Sequence, residues 1–276
     1  MALIQWYPGH IAKAEAALKE QLKLVDLVLE VRDARIPRSS ANPRLREWSK
    51  GKHHLCILNR IDLIGEELLQ QWYGWFRAQE MVVYGTNGQT GEGVAQLMQA
   101  AQQVGIAINQ KRQQRGMLPR PVRAVVVGYP NVGKSALINR LLKRRVAPSA
   151  NKPGVTRQLR WIRISEQIEL LDTPGILPPR LEDQNAALKL AICDDIGQAA
   201  YDPISVSSAL LDMLRELGVN ITDRYNLNLE DFPSGADYLV ALSAKTKQQQ
   251  ERTAQQILHD FRRGRLGKIG LEYPPN

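Results

Sequence analysis

Short apolar runs alternate with amphipathic stretches from Leu22 to Arg123, and that alternation predicts a parallel sheet with helices on both faces. Asp26 to Arg32 (DLVLEVR), His53 to Asn59 (HHLCILN) and Met81 to Tyr84 have the length and composition of buried strands, with helices expected over Glu66 to Ala78 and Gly93 to Val104. Residues 105–121 (GIAINQKRQQRGMLPRP) lose the periodicity and gather Gln, Arg and Pro, as an exposed connection would. Val122 to Val127 is a β-branched strand, followed by a helix from about Lys134 and by strands over Gln158 to Ile164 and Gln167 to Leu171. Beyond about Pro179 the alternation gives way to amphipathic helices broken by Pro203, Gly218, Pro233 and Gly235. The expected architecture is an α/β domain over residues 1–180, with 105–121 as an internal linker, and a small all-helical domain over 181–276.

Composition changes this picture little. The 276 residues suffice for a full α/β core and a second unit, and 37 Lys and Arg against 28 Asp and Glu, a net charge of +9, favour polyanionic partners, nucleic acid or an acidic membrane face, between which charge alone does not choose. The N-terminal residues lack a signal-peptide core and no run is long enough to span a membrane, so secretion and membrane insertion are not expected. Cys56 and Cys193 belong to no CxxC or His-rich cluster, which argues against a disulfide framework or a zinc site.

The chemistry begins at Gly128-Tyr129-Pro130-Asn131-Val132-Gly133-Lys134-Ser135, which satisfies GxxxxGK[ST] between a strand and a helix, the context that pattern requires. Backbone N–H groups from Asn131 through Ala136 would converge on phosphate oxygens at a helix N-terminus, Lys134 would reach the β- and γ-phosphates, and Ser135 would ligate Mg²⁺. Downstream, Asp172-Thr173-Pro174-Gly175 ends an apolar strand, so Asp172 can approach the same Mg²⁺ while the Gly175 N–H senses the γ-phosphate. Thr156, in Lys152-Pro153-Gly154-Val155-Thr156, is one candidate among the threonines for completing the metal shell.

Asn59-Arg60-Ile61-Asp62 follows a strand directly and resembles the NKxD element with which GTPases read guanine. The Asp62 carboxylate can accept from guanine N1–H and the 2-amino group, a donor pair that adenine lacks. Arg60 stands where the pattern has Lys and keeps the charge on a planar head. Asn87-Gly88 occupies the place of the Ser-Ala base-contacting loop, and a simple turn is its other reading.

Here the guanine element precedes the phosphate loop, the order of the circularly permuted GTPases. Together with Trp6-Tyr7-Pro8-Gly9-His10, Val31-Arg32-Asp33-Ala34-Arg35-Ile36-Pro37 and Gly267-Lys268-Ile269-Gly270-Leu271-Glu272, that order resembles the ribosome biogenesis GTPase A family. The resemblance implies a permuted P-loop GTPase domain joined to a helical RNA-binding domain, acting in assembly of the large ribosomal subunit and its rRNA; the cysteine usage fits a reducing cytoplasm or plastid stroma, and a monomer is expected. The resemblance also implies that His10 assists hydrolysis, since Ile176 occupies the place of the water-orienting glutamine, and that Asn131 holds an activating K⁺. Slow turnover by the isolated protein follows. Arg262-Arg263-Gly264-Arg265-Leu266-Gly267-Lys268, with Arg112, Arg115, Arg120 and Arg123, offers cations for RNA phosphates. Two other functions fit the residues: a non-catalytic RNA-binding module stabilised by nucleotide, and a GTPase of another RNA or trafficking process.

Overall fold

A computed structural model describes residues 11–142, 160–173, 182–197 and 200–275. Six strands, β1 (Leu27–Asp33), β2 (His53–Asn59), β3 (Val83–Thr86), β4 (Val122–Val127), β5 (Arg160–Arg163) and β6 (Ile168–Asp172), form one sheet in the order β3-β2-β1-β4-β6-β5. All neighbours are parallel except the edge pair β5 and β6. The helices are α1 (Ile11–Leu22), α2 (Leu45–Trp48), α3 (Glu66–Ala78), α4 (Val94–Gln114), α5 (Lys134–Leu141), α6 (Gln184–Cys193), α7 (Pro203–Glu216), α8 (Thr222–Tyr225), α9 (Gly235–Thr246) and α10 (Gln250–Arg262).

Every residue of β1 is buried, which suits a central parallel strand covered on both faces. Leu27, Leu29 and Val31 join a large apolar cluster that continues through α5 into the helical region, while Val28 packs with Leu18, Leu22 and Val125 on the other side. Glu30 and Arg32 share the second side and pair at 2.8 Å, with the Arg32 guanidinium over Phe76, so that two buried charges in a core strand are partnered.

Four sequence expectations shift. Residues 105–114 are the second half of α4, and the connection is only 115–121. This stretch is rich in helix formers but buries almost nothing after Gly105, so the helix continues without the apolar stripe that would announce it. Asn109 ties it down by exchanging two hydrogen bonds with the Arg120 backbone. The third strand lies two residues later than Met81 to Tyr84, in register with the end of β2. Pro203 and Gly235 begin helices instead of breaking them: Pro203 stands at the first position of α7, where its missing N–H costs nothing, with Asp202 as N-cap. Gly235 opens α9 after the Ser234 cap.

A candidate guanine-nucleotide site

The carboxyl ends of β1, β2, β3, β4 and β6 bring the motifs together although they are far apart in sequence. Asn59, the last residue of β2, joins three of them. Its Nδ2 donates to the Val132 carbonyl in the phosphate loop at 2.8 Å, and its Oδ1 accepts from Thr86 Oγ1 at 3.1 Å and from the Gly88 N–H at 3.0 Å. Two glycines permit this approach. A Cβ on Gly133, where φ is +97°, would lie 2.1 Å from Asn59 Nδ2, and one on Gly88 would press on Leu137 N and Ala136 Cβ in α5. The Asn87-Gly88 loop is therefore packed against the phosphate-loop helix. It is also a turn, the other sequence reading: Asn87 Oδ1 accepts from the N–H groups of Gln89 and Thr90.

Lys134 begins α5, nearly buried, with its ammonium donating to the carbonyls of Gly128 at 3.1 Å and Tyr129 at 2.7 Å. Nucleotide phosphates would compete for that ammonium. Ser135 lies in the same first turn. Asp172 ends β6 level with Val126 of β4, two positions before the phosphate loop, and the Thr173 hydroxyl donates to the Val126 carbonyl. Asp62 is exposed on a single 3₁₀ turn, Ile61–Leu63, directly after β2. His10, Thr156, Gly175 and Ile176 lie outside the described residues.

Arg60 departs most from its sequence reading. Held in the left-handed region at φ 66°, it directs its guanidinium to Asp33 Oδ2 at 2.8 Å, to the Asn131 carbonyl, and to the Cys193 carbonyl at 3.5 Å. Asp33 is fully buried at the end of β1 and also receives both a side-chain fork and a backbone N–H from Arg35. Burial alone would raise its pKa, but the Arg35 and Arg60 guanidinium groups outweigh that and hold the carboxyl below the usual range. Arg35 in turn donates to Cys193 O and lies over the Phe261 ring. Asp195 completes this cluster at 3.8 Å from Arg60, with neither carboxylate oxygen hydrogen-bonded. Burial, then the Asp33 charge, push its pKa well above the ordinary value.

Residues 33, 35 and 195 were not read from sequence as parts of the site. Asp33 and Arg35 stood out only as a motif, and a lone Asp-Asp pair after a helix carries no signal.

A family model described as 50S ribosome-binding GTPase matches residues 123–225. The chain is 37% identical to ribosome biogenesis GTPase A of Bacillus cereus, over 99% of this chain and 94% of that protein. The chain belongs to the ribosome biogenesis GTPase A family. Mouse mitochondrial ribosome-associated GTPase 1 is 37% identical over 78% of this chain and 68% of its own length. The crystal structure of GNP-bound YlqF from T. maritima superposes with a TM-score of 0.66 at 24% identity, over 96% of this chain and 99% of that one, a likeness of fold. This ribosome biogenesis GTPase A member is thus a GTPase with a mostly parallel sheet and C-terminal helices. Among the described residues no helix is long and apolar enough to cross a membrane.

The basic residues divide into internally engaged and exposed ones. Arg262 donates to the carbonyls of Ala191 and Ile192 at the end of α6, and to the Tyr201 hydroxyl, so it caps a helix. Arg120 grips Asp26 with both terminal nitrogens, and Arg123 lies over Trp161. Arg263 and Lys268 remain exposed, as does Arg115.

Proposed function

We propose that this chain is a GTP-hydrolysing assembly factor of the large ribosomal subunit, a nucleotide-controlled switch that binds its rRNA and leaves after hydrolysis. The observation that supports the guanine-nucleotide part is the Asn59 junction, which brings the turn after β2, the Asn87-Gly88 loop and the phosphate loop to one place. The ribosomal part draws support from the family and from the names of its relatives. A GTPase body over residues 1–180 and a helical RNA-binding part over 181–276 suit this reading, acting as a monomer in the cytoplasm or a plastid stroma.

Within the site, Asp62 would read the guanine edge, Asn87 and Gly88 would shape the base pocket, and backbone N–H groups of residues 131–136 would cradle the phosphates. The donor set fits Mg²⁺: a hydroxyl at Ser135 and a carboxylate strand end at Asp172 are hard oxygen donors on neighbouring elements, with Thr156 as a further ligand. Bound there, Mg²⁺ would neutralise charge developing on the phosphate oxygens. Gly175 would sense the γ-phosphate. His10 would orient the attacking water, a task Ile176 cannot perform. Asn131 commits its amide nitrogen to Asp194, so Oδ1 is the atom it offers to K⁺. Exposed Arg263, Lys268 and Arg115 would contact RNA phosphates, whereas Arg262 and Arg120 are engaged internally.

The test is steady-state GTP hydrolysis with and without purified large ribosomal subunits, in potassium and in sodium buffer, for wild type and His10→Ala. Slow turnover that rises about 10³-fold or more with subunits in potassium, and falls in His10→Ala, is expected. Turnover indifferent to subunits would refute the assembly role, and indifference to the cation would refute the potassium site.

A further inference from the structure

Asn131 lies in the middle of the phosphate loop with φ 57°, in the left-handed region that a non-glycine residue resists. From Asn131 through Gly133 the sign of φ alternates, Val132 lying between two left-handed residues. Such alternation turns successive N–H groups to one side and forms an anion-binding nest. The cradle for nucleotide phosphates therefore depends on the conformation of Asn131, which persists only if its surroundings fix it.

Two groups from outside the loop do so. Arg60 Nη2 donates to the Asn131 carbonyl. On the other side, Asn131 Nδ2 donates to the Asp194 carbonyl at 2.8 Å and lies 3.4 Å from Asp194 Oδ2. Asp194 follows the last residue of α6 and is itself left-handed, at φ 66°, which frees its carbonyl from the helical direction. Arg262 at the end of α10 secures that helix end, donating to the carbonyls of Ala191 and Ile192 with Nη1 at 3.7 Å from Asp194.

We infer that Asp194 is a positioning residue of the phosphate loop, a group of the helical region that holds Asn131 in the conformation the phosphates require. The loop is thereby completed by a residue far downstream of every nucleotide motif. Linkage makes the effect mutual: phosphates that favour this loop conformation also favour the α6 end that supports it.

The contact is made chiefly by the Asp194 carbonyl, so substitutions must act through the backbone. Asp194→Asn tolerates a left-handed conformation, whereas the β-branched side chain of Asp194→Val opposes it. Equilibrium binding of fluorescent mant-GDP should weaken about tenfold in Asp194→Val and stay within about twofold of wild type in Asp194→Asn. In an Asn131→Gly background, which has no amide to hold, Asp194→Val should change the affinity less than about twofold. A purely structural role at the end of α6 would leave the tenfold loss intact in that background. Unchanged binding by Asp194→Val, or an undiminished loss in the Asn131→Gly background, overturns the inference. Should Asp194→Val fail to fold, Asp194→Ala, which opposes the left-handed conformation less strongly, takes its place. Its loss of mant-GDP affinity should be smaller, about threefold, and should vanish in the Asn131→Gly background. No loss, or a loss that persists there, overturns the inference.

Discussion

Two clusters meet at the carboxyl end of the sheet and are built on opposite principles. The Asn59 carboxamide has only neutral partners: a threonine hydroxyl, a loop N–H and a loop carbonyl. At the Asp33 carboxylate the side-chain donors are charged: Arg35 and Arg60 grip it, with Asp195 close by without a hydrogen bond. The neutral junction satisfies each atom individually and needs only short-range geometry. The ionic one balances large opposing terms, because each charge is stable only while its partners stay. The loops at the strand ends are thus joined by neutral hydrogen bonds, and the buried contacts to the end of α6 by charges, with Arg60 reaching from the second cluster to the Asn131 carbonyl.

The largest effect should come from breaking the ionic cluster on one side. Arg35→Ala leaves buried Asp33 to Arg60 alone and removes the stacking on Phe261. A loss of about 3–5 kcal/mol in unfolding free energy by urea titration is expected, the cost of an uncompensated buried charge. Breaking the neutral junction comes next: Asn59→Ala forfeits three hydrogen bonds, worth about 1 kcal/mol each, so mant-GDP affinity should fall on the order of 10²-fold while the melting temperature moves less than in Arg35→Ala.

Glu272 offers a smaller contrast at the rim. Its carboxylate accepts from the N–H groups of Arg38 and Ser39, tying the chain's end to the loop after β1. Glu272→Ala should cost about 1–2 kcal/mol of stability with little change in nucleotide affinity.

Asp195→Asn should have the smallest effect, and the opposite sign. The wild-type carboxyl has a folded pKa above its unfolded value, so the protonated form is the one the fold favours. Its contribution is fully present below the unfolded pKa and is lost as pH rises through the folded pKa. The asparagine variant should match wild type in acid, below the unfolded pKa, and grow more stable than it as pH rises toward the folded pKa. Thermal melts across that range would show the gap open or stay closed.

The same contrast explains what the sequence made legible. The GxxxxGK[ST] pattern and the Asn59–Asp62 turn were legible as candidates because their residues lie within a few positions of one another, beside strands whose apolar runs are unambiguous. Asp33, Arg35 and Asp195 were not, since neither the Asp33–Arg35 pair at the end of a strand nor the distant approach of Asp195 to Arg60 leaves a periodicity. Arg262 read as a phosphate contact because charge alone does not tell whether RNA or the end of α6 will take it. The second half of α4 was lost for a related reason: an exposed helix of Gln, Lys and Arg looks like a connection until tertiary anchors such as Asn109 are seen.

The most direct measurement compares mant-GDP and mant-ADP binding by wild type and Asp62→Asn. If the turn after β2 and the phosphate loop form one guanine-nucleotide site, wild type should prefer GDP by at least about 10³-fold, and Asp62→Asn should lose most of that preference. Near-equal affinities of wild type for the two nucleotides would contradict it.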